Sequence, residues 1–332
     1  MLFDIYVQHN HKKNPFLSKE KLFDVFFLVK ASFPSFFYIM RVVVVTSKSD
    51  VVTRSVINRL KEDGHEVSIS KETKGTNAVV LDLRGEGLSS AREIVSRFVE
   101  DSERDEGSSS KVLIALSTLM SWDNTPKEKL DESKWTERIP RTTRREILRA
   151  ENSILNANSE SLRSVVIGFG LVYGSGEGIL KSYFKTMWTQ GENATLTIPS
   201  WNGEAENVVP SIHAKDLASL VSASLLKTRS DFKYGTSSSG EYIAAVDESR
   251  ETLSNIVSAI GRCFHEKSST RVMTERDVEK ALLTEDSTML IDPTLLLDMN
   301  FQSSNASQLL EQAGQEWWAR EGLVRHVERW LG

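Results

Sequence analysis

Cysteine is almost absent from this sequence, in which Cys263 is the only one among 332 residues. A single cysteine excludes an intramolecular disulfide and is typical of proteins from a reducing compartment. It stands beside the apolar residues of a predicted helix, where we expect a packed small hydrophobic side chain rather than a nucleophile. The six histidines are scattered and no pair has the spacing of zinc ligands, so we expect no metal site.

An excess of positive charge is also missing. The formal net charge is −5 and the isoelectric point is near 5.8. This balance argues against a general nucleic-acid-binding protein, because such proteins carry a basic stripe. Hydrophobic residues make up 39% of the chain and charged residues 26%, which is ordinary for a globular protein. The length suffices for one large α/β domain, alone or with a smaller lobe.

Glycine is missing from the turn that follows the first predicted strand. Residues 41–60 predict a buried strand, a tight turn and a helix, the unit that opens a doubly wound α/β domain. In dinucleotide-binding domains three glycines shape this turn and let the backbone approach a pyrophosphate. The corresponding positions here are Ser47, Asp50 and Thr53. Asp50 would place a carboxylate where a phosphate binds, although it is also a favourable helix N-cap.

Residues 1–39 differ in composition from the rest and hold eight of the 14 phenylalanines. The apolar run 22–40 has features of a signal anchor, but charged residues and a proline interrupt it. Met40 directly precedes the first core strand. We therefore expect Met40 to be the natural start and residues 1–39 to be a disordered or wrongly assigned extension. The alternative is a hydrophobic arm that docks on a partner.

Strands and helices alternate through most of the remaining chain, which predicts a parallel sheet. The interval between the strands predicted at 65–70 and 78–83 is short enough that we expect one helix–strand unit to be missing. Residues 123–141 are polar and predict a surface insertion. From about residue 178 the pattern predicts a small C-terminal α/β lobe interleaved with the 40–332 domain. Its tail, residues 315–331, predicts one amphipathic helix.

Two groups of polar residues are candidates for chemistry. Ser117 and Thr118 end a predicted strand, where α/β enzymes place hydroxyls that face a substrate. His213 and Asp216 share one face of a helix and could form an acid/base pair. For both groups we favour a structural interpretation, in which the side chains cap a turn or a helix.

The order of several motifs resembles the extended short-chain dehydrogenase/epimerase family. The Ser-Thr pair is followed by Val-Tyr-Gly at 172–174, by Ile-His-x-x-Asp-Leu-Ala at 212–218 and by the segment 242–252. The resemblance covers roughly residues 40–331. It implies a Rossmann-like doubly wound parallel sheet of degenerate type and, in an active member, an NAD(P) cofactor.

The positions that carry this family's chemistry are altered. The family uses a tyrosine whose pKa is lowered by a lysine four residues later and by the cofactor. These positions fall on Thr143 and Ile147. A threonine hydroxyl is not an acid near neutral pH, and isoleucine cannot lower its pKa. Since the glycines are also absent, we expect no catalytic residue and no bound cofactor.

A more specific resemblance is to the amino-terminal region of a cilium-associated isoform of the adenylate kinase family. It rests on residues 116–122, 170–188, 207–218 and 245–253, and more weakly on 299–301 and 318–324. No P-loop sequence occurs in these 332 residues, so kinase activity is not carried over. The resemblance implies a cytoplasmic protein of the ciliary or flagellar axoneme, with axonemal proteins and nucleotide-handling kinases as partners and neither nucleic acid nor membrane.

Two interpretations of function stay open. The first is a non-catalytic dehydrogenase-like scaffold or interaction subunit of an axonemal complex. The second is an NAD(P)-binding oxidoreductase, epimerase or ligand sensor with a non-standard cofactor loop. If a vestigial pocket persists, the residues expected in it are Thr46, Ser47, Asp50, Thr53, Leu116, Ser117 and Phe169.

Overall fold

The computed structural model describes residues 39–84, 88–104, 111–174, 178–201, 203–226, 239–265, 268–283, 291–301 and 304–331. Residues Met40–Gly332 form one unit, and the described residues from 40 onward belong to it. The expectation for residues 1–39 therefore lies almost wholly outside the described residues.

Strands and α-helices largely alternate along the described chain from residue 41 to residue 169. The strands are β1 (Arg41–Val45), β2 (Glu66–Ile69), β3 (Ala78–Asp82), β4 (Lys111–Thr118), β5 (Leu162–Phe169), β6 (Leu171–Tyr173), β7 (Thr195–Ile198), β8 (Ser211–His213), β9 (Glu241–Ala245) and β10 (Ser269–Val272). The α-helices are α1 (Val51–Glu62), α2 (Leu88–Glu103), α3 (Arg145–Asn156), α4 (Lys181–Gln190), α5 (Ala214–Leu226), α6 (Leu253–Phe264), α7 (Glu275–Leu283), α8 (Ser304–Gln312) and α9 (Leu323–Leu331). Short 3-10 turns lie at Leu119–Trp122, Lys127–Lys129, Glu132–Glu137, Thr142–Arg144, Gly191–Asn193 and Pro293–Leu296.

The central sheet has six strands in the order β2-β1-β3-β4-β5-β9, and every pairing is parallel. A full dinucleotide domain has two strands beyond β1 on one side. Of the described strands, only β2 lies there, and residues 70–77 lead from it to β3 without a helix. The predicted loss of one helix–strand unit is confirmed.

Both faces of this sheet are buried, which explains the run of four valines in β1. Successive side chains of a strand point to opposite faces. Val42 and Val44 pack with α1, α5 and α8 on one face, and Val43 and Val45 pack with α2 and α3 on the other. Parallel strands covered on both sides therefore have continuous apolar sequences rather than alternating ones.

A separate hydrophobic cluster joins several of the elements that follow residue 178. It contains apolar side chains of α4, α6, α9 and β7. β7 pairs in parallel with β10, and β6 pairs in parallel with β8. The β7–β10 pair was not predicted. In the described part of the chain, no helix is both long enough and apolar enough to cross a membrane.

The polar segment 123–141 is not the surface insertion that its sequence predicts. Glu132 and Arg138 are buried within it. Glu132 accepts the backbone N–H of Ala244 at 3.0 Å and that of Asn305 at 2.7 Å. This carboxylate therefore joins the segment to the edge strand β9 and to α8.

The tail is also different from the prediction, because residues 315–331 do not form one helix. Gly314 and Gly322 have φ angles of 64° and 86°, which lie in the left-handed region and interrupt the helical path. Between them, Asp216 accepts the backbone N–H groups of Trp318 at 2.6 Å and Ala319 at 3.0 Å. A buried carboxylate thus binds backbone groups that a continuous helix would use internally.

Asp247 is the second buried carboxylate in this region. It does not cap α6, because the N-cap is Thr252, which accepts the N–H of Asn255 at 3.2 Å. Asp247 instead accepts the hydroxyls of Ser211 at 2.9 Å and Tyr173 at 3.2 Å. Burial raises the pKa of Asp216 and of Asp247 to about 6, although their hydrogen bonds act in the opposite direction.

The raised pKa of Asp247 predicts a stability that depends on pH. Its folded-state pKa of about 6 lies above the ordinary value of 3.8, so the folded chain binds this proton more tightly than the unfolded chain. The free energy of unfolding should therefore fall as the pH rises from about 4 to about 6, by up to about 3 kcal/mol from this group. Urea denaturation of the parent and of Asp247→Asn across that range measures the difference.

The exposed substitution Glu279→Gln is the control and should follow the parent at every pH. A difference between the parent and Asp247→Asn that does not change with pH would contradict the prediction.

Candidate functional site

A cleft of about 410 Å³ opens at the carboxyl ends of the central strands. Its walls come from the β1–α1 turn, the residues after β3 and β4, and the end of β5. β1 and β3 are neighbours whose connections leave in opposite directions along the sheet. Doubly wound sheets bind their ligands at this kind of switch point.

The β1–α1 turn forms without any glycine. Among the described non-glycine residues only Ala205 has a positive φ, so none is needed in this turn. The Thr46 hydroxyl accepts the N–H of Lys48 at 3.0 Å and lies 3.2 Å from Asp82 Oδ2, to which it can donate. A side-chain hydroxyl tightens the turn where the dinucleotide-binding family uses glycine.

Asp50 occupies the N-terminus of α1, as its N-cap sequence predicts. Its Oδ1 accepts the N–H of Thr53 at 3.0 Å. In a dinucleotide-binding domain the pyrophosphate lies at this helix N-terminus, where free N–H groups and the helix dipole favour an anion. Here the chain's own carboxylate is that anion.

Arg84, which sequence reasoning missed, neutralises this carboxylate. Its Nη1 donates to Asp50 Oδ2 at 3.0 Å, and its Nη2 donates to Asp82 Oδ2 at 2.8 Å. The guanidinium also lies 5.0 Å from the centroid of the Phe169 ring. The only sequence signal for it is an arginine two residues after the aspartate that ends β3.

The pKa shifts show that both partners stay charged near neutral pH. Burial alone would raise the pKa of Asp50, but Arg84 and the N–H of Thr53 bring it below its ordinary value. Burial opposes the charge on Arg84 as well, yet Asp82 and Asp50 raise its pKa. The region therefore holds an internal ion-pair network of one guanidinium and two carboxylates.

The structure brings only part of the predicted pocket together. Asp50 and Phe169 line the cleft. The other predicted residues do not line it, and these are Thr46, Ser47, Thr53, Leu116 and Ser117. Thr53, Leu116 and Ser117 are buried, because their side chains point into the packed interior and not toward the crevice.

Ser117 belongs to a buried polar network and does not face a substrate. It donates to Glu151 Oε1 at 2.5 Å, and Arg138 donates to Glu151 Oε2 at 2.5 Å. The Arg138 guanidinium lies 4.4 Å from the centroid of the Tyr242 ring. Burial raises the pKa of Glu151, whereas Arg138 and Ser117 oppose that change. Thr118 accepts the N–H of Met120 at 3.3 Å, so its predicted capping role is confirmed.

His213 and Asp216 do not form an acid/base pair. Both oxygens of Asp216 accept backbone N–H groups of the tail, as described above. His213 Nδ1 accepts the N–H of Lys215 at 3.2 Å, which satisfies a backbone group at the start of α5. The capping interpretation holds for His213, and it is wrong for Asp216.

A second cleft of about 520 Å³ adjoins the first and shares Met120, Arg144 and Pro293 with it. Thr143 lines the second cleft and Ile147 lines the first. The two positions that match the family's tyrosine and lysine are thus at the clefts, but neither side chain can transfer a proton. In the described residues no group of three or more His, Cys, Asp or Glu could hold a metal ion.

No known family model matches this chain. It is 27% identical over 226 residues to adenylate kinase 7 of Mus musculus, a match that covers 65% of this chain and 34% of the relative. It is 28% identical over 182 residues to adenylate kinase 7 of Macaca fascicularis, covering 54% and 30%. The matched part thus spans about a third of the length of these curated relatives.

Solved structures of epimerases superpose on nearly the whole chain. A human epimerase family protein, SDR39U1, with NADPH has a TM-score of 0.57 at 15% identity, covering 87% of this chain and 99% of its own. The UDP-N-acetylglucosamine 4-epimerase of Methanobrevibacter ruminantium has a TM-score of 0.59 at 13% identity, covering 88% and 98%. The chain has a Rossmann-like, dehydrogenase-type fold.

The resemblance to the dehydrogenase-like amino-terminal region of adenylate kinase 7 is also confirmed. Identities as low as those to the solved structures show the fold alone. They do not bring a cofactor or a substrate to this chain.

The buried Arg138–Glu151 pair gives a prediction about stability. Removal of one partner leaves the other charge buried without compensation, so Arg138→Ala should lower the free energy of unfolding by about 3–5 kcal/mol. Replacing both partners, as in Arg138→Met with Glu151→Leu, should recover much of that loss. Urea denaturation near pH 7 measures both changes.

Arg145→Ala, an exposed arginine at the start of α3, is the matched control and should change stability by less than about 0.5 kcal/mol. If Arg138→Ala is no more destabilising than this control, the Arg138–Glu151 pair does not stabilise the fold and the prediction is wrong.

Proposed function

We propose that this chain is a non-catalytic, dehydrogenase-like interaction domain that serves as a scaffold subunit in a ciliary or flagellar axonemal complex. The observation that carries the proposal is the position of Asp50. Its carboxylate lies at the N-terminus of α1, bound to the N–H of Thr53 and to Arg84. A pyrophosphate at that helix would have to displace the ion pair and overcome the charge of Asp50.

The residues around the clefts support the absence of catalysis. Hydride chemistry in this fold needs a proton donor or acceptor beside the nicotinamide. The matching side chains are Thr143 and Ile147, and Ser117 is engaged by Glu151. No side chain at these three positions is available as an acid or base near neutral pH.

The similarity to adenylate kinase 7 supports the axonemal part of the proposal. In this proposal the domain acts in the cytoplasm, at the axoneme of a cilium or flagellum. Its partners are axonemal proteins, and nucleotide-handling kinases are among them. Because the match spans about a third of the relative, no kinase activity is proposed for this chain.

An NAD(P)-binding oxidoreductase, epimerase or ligand sensor is the second candidate. It is favoured by the open 410 Å³ cleft at the switch point of the sheet. Proteins whose structures superpose on this chain were solved with NADPH or NAD. In that case the dinucleotide would bind mainly through its adenine and ribose groups and leave the Asp50–Arg84 pair in place.

A thermal denaturation experiment on the full chain separates these candidates. A ligand that binds only the folded state adds about 2.7 kcal/mol of stability at a hundredfold excess over its Kd. We expect no change in Tm with millimolar NAD, NADP, ATP or AMP at neutral pH. Asp50→Asn, which keeps the N-cap but removes the charge, should also give no shift with NAD or NADP, because the glycines are still absent.

A saturable rise in Tm with NAD or NADP for the parent would contradict the proposal and favour the second candidate. A rise that occurs only in Asp50→Asn would show that charge alone excludes the cofactor.

Proximity labelling in ciliated cells tests the scaffold role. We expect the chain, fused to a labelling peroxidase, to enrich axonemal proteins over the same peroxidase expressed alone. Mass spectrometry of the labelled proteins measures the enrichment. A set no richer in axonemal proteins than the control would overturn the axonemal assignment.

A further inference from the structure

Trp188 is the most exposed large hydrophobic residue in the described part of the chain, with 81% of its surface exposed. It lies on α4, whose Tyr183 and Met187 are buried in the hydrophobic cluster that α4 shares with α6. The helix is therefore fixed to the domain by one face and presents Trp188 on another. One exposed hydrophobic residue alone is ordinary on a protein surface, so its surroundings decide what it can do.

Trp188 belongs to a group of three aromatic rings. The ring centroid of Phe264, at the end of α6, lies 6.1 Å from that of Phe184 and 6.5 Å from that of Trp188. Both contacts are edge-to-face, with interplanar angles of 65° and 86°. Phe184 and Phe264 are partly buried against the hydrophobic cluster, so Trp188 rests on a fixed support. A side chain that is already oriented loses less conformational entropy when a partner covers it.

The exposed face of α4 also carries two positive charges. Lys181 and Lys185 are exposed and precede Trp188 by seven and three residues, so the three side chains share one face of the helix. α4 contains no carboxylate. The next one along the chain, Glu192, follows Gly191, whose φ of 61° ends the helix. The charge of this helix is therefore positive, in a chain whose net charge is −5.

The hydroxyl groups of α4 are satisfied within the helix. Ser182 donates to the carbonyl oxygen of Ile179 at 3.2 Å, and Thr186 donates to that of Ser182 at 2.9 Å. Thr189 donates to the carbonyl oxygen of Lys185 at 2.9 Å. A partner that covers this helix therefore does not leave these hydroxyls without a hydrogen bond.

We propose that the surface formed by Lys181, Lys185 and Trp188, here named the α4 face, binds an acidic amphipathic helix of another protein. The two lysines are about one helical turn apart, roughly 6 Å along the axis, which matches two carboxylates at positions i and i+4 of a partner helix. An apolar side chain of that helix packs on Trp188. The proposal rests on the proposed scaffold function and gives it a surface and a class of partner.

The charges favour this occupant over two others. Residues 1–39 contain five lysines, no arginine and three acidic residues, so this apolar part of the chain has the same sign of charge as the α4 face. An anionic membrane surface is recognised by clusters of about four to eight basic residues, and α4 has two. A helix with paired carboxylates matches both the sign and the number of the charges on α4.

Carbodiimide cross-linking of the purified full chain in an extract of ciliated cells tests the α4 face. The reagent joins a lysine amine to a carboxylate that it contacts, and mass spectrometry identifies both residues. We expect Lys181 and Lys185 to cross-link to Asp or Glu residues three or four apart in one segment of a partner. Trp188→Ala should lower the yield of these cross-links by about tenfold or more, because it removes the aromatic anchor.

Trp318→Ala is the matched control. Trp318 is also exposed, at 56%, but it belongs to the tail and packs against Lys215. Its variant should give cross-links within about twofold of the parent yield. Both variants should keep the parent's urea midpoint, so that a lost cross-link reports the contact and not the fold.

A synthetic peptide of the cross-linked partner segment gives a second measurement by fluorescence anisotropy. The double variant Lys181→Gln, Lys185→Gln should raise the Kd by about tenfold or more, and added salt should weaken the parent's binding more than that of the variant. Lys61→Gln combined with Lys74→Gln is the control, because both lysines are exposed and outside the α4 face. It should bind within about twofold of the parent.

The proposal is overturned if Lys181 and Lys185 give no cross-link to another protein, or if their cross-links persist in Trp188→Ala. It is also overturned if they join residues of this same sequence, which would indicate an internal contact or a second copy. Binding of the parent, and not of Trp188→Ala, to phosphatidylserine vesicles in place of a protein would overturn it too and would indicate a membrane surface.

The outcome for the α4 face is distinct from the outcome for the proposed function. Cross-links to an acidic helix of a protein that is not axonemal would support the α4 face and contradict the axonemal assignment. If proximity labelling enriches axonemal proteins while the α4 face gives no cross-link, the scaffold function stands and another surface carries it.

Discussion

A single guanidinium joins two elements that a dinucleotide would otherwise bridge. Arg84 contacts Asp50 at the start of α1 and Asp82 at the end of β3. Because the arginine is mostly buried, each carboxylate lowers the cost of keeping its charge away from water. The start of α1 and the end of β3 are therefore held together by the chain's own charges.

A second internal ion pair lies in the packed interior, away from the clefts. The side chains of Arg138 and Glu151 are fully buried there, and Glu151 also accepts the hydroxyl of Ser117. In both places a charge that could act on a ligand is matched within the chain. Neither change affects the parallel sheet, whose strands are covered by helices on both faces. The fold and the chemistry are thus physically separable in this molecule.

The local features of the fold could be predicted from sequence, because they depend on neighbouring residues. The valines of β1 required a strand buried on both faces, and Asp50 could be identified as a cap from its position before an apolar helix. The length of residues 70–77 was enough to show that a crossover helix was missing.

Features that depend on distant residues could not be predicted. Arg138 stands in a polar stretch, and only the folded chain shows Glu151 opposite to it. β7 and β10 have four residues each and are far apart in sequence, so neither has a strong pattern of its own. The tail has helical periodicity, but Asp216 binds its backbone and overrides that preference. Arg84 was missed for the same reason, because a single arginine after a strand does not reveal its partners.

The shortened sheet has a consequence for how this domain resists aggregation. Since no described strand lies beyond β2, its outer row of backbone N–H and C=O groups is unpaired in the sheet and could template the addition of another chain. β2 is only four residues long, and Glu66 and Ser68 interrupt its apolar character, although Ile69 is exposed. Short, polar edge strands are a common protection against such self-association. The loss of one helix–strand unit therefore leaves an open sheet edge, and only a few side chains protect this edge from pairing with another chain. Glu66, which forms an ion pair with Arg41, is the charged residue among them.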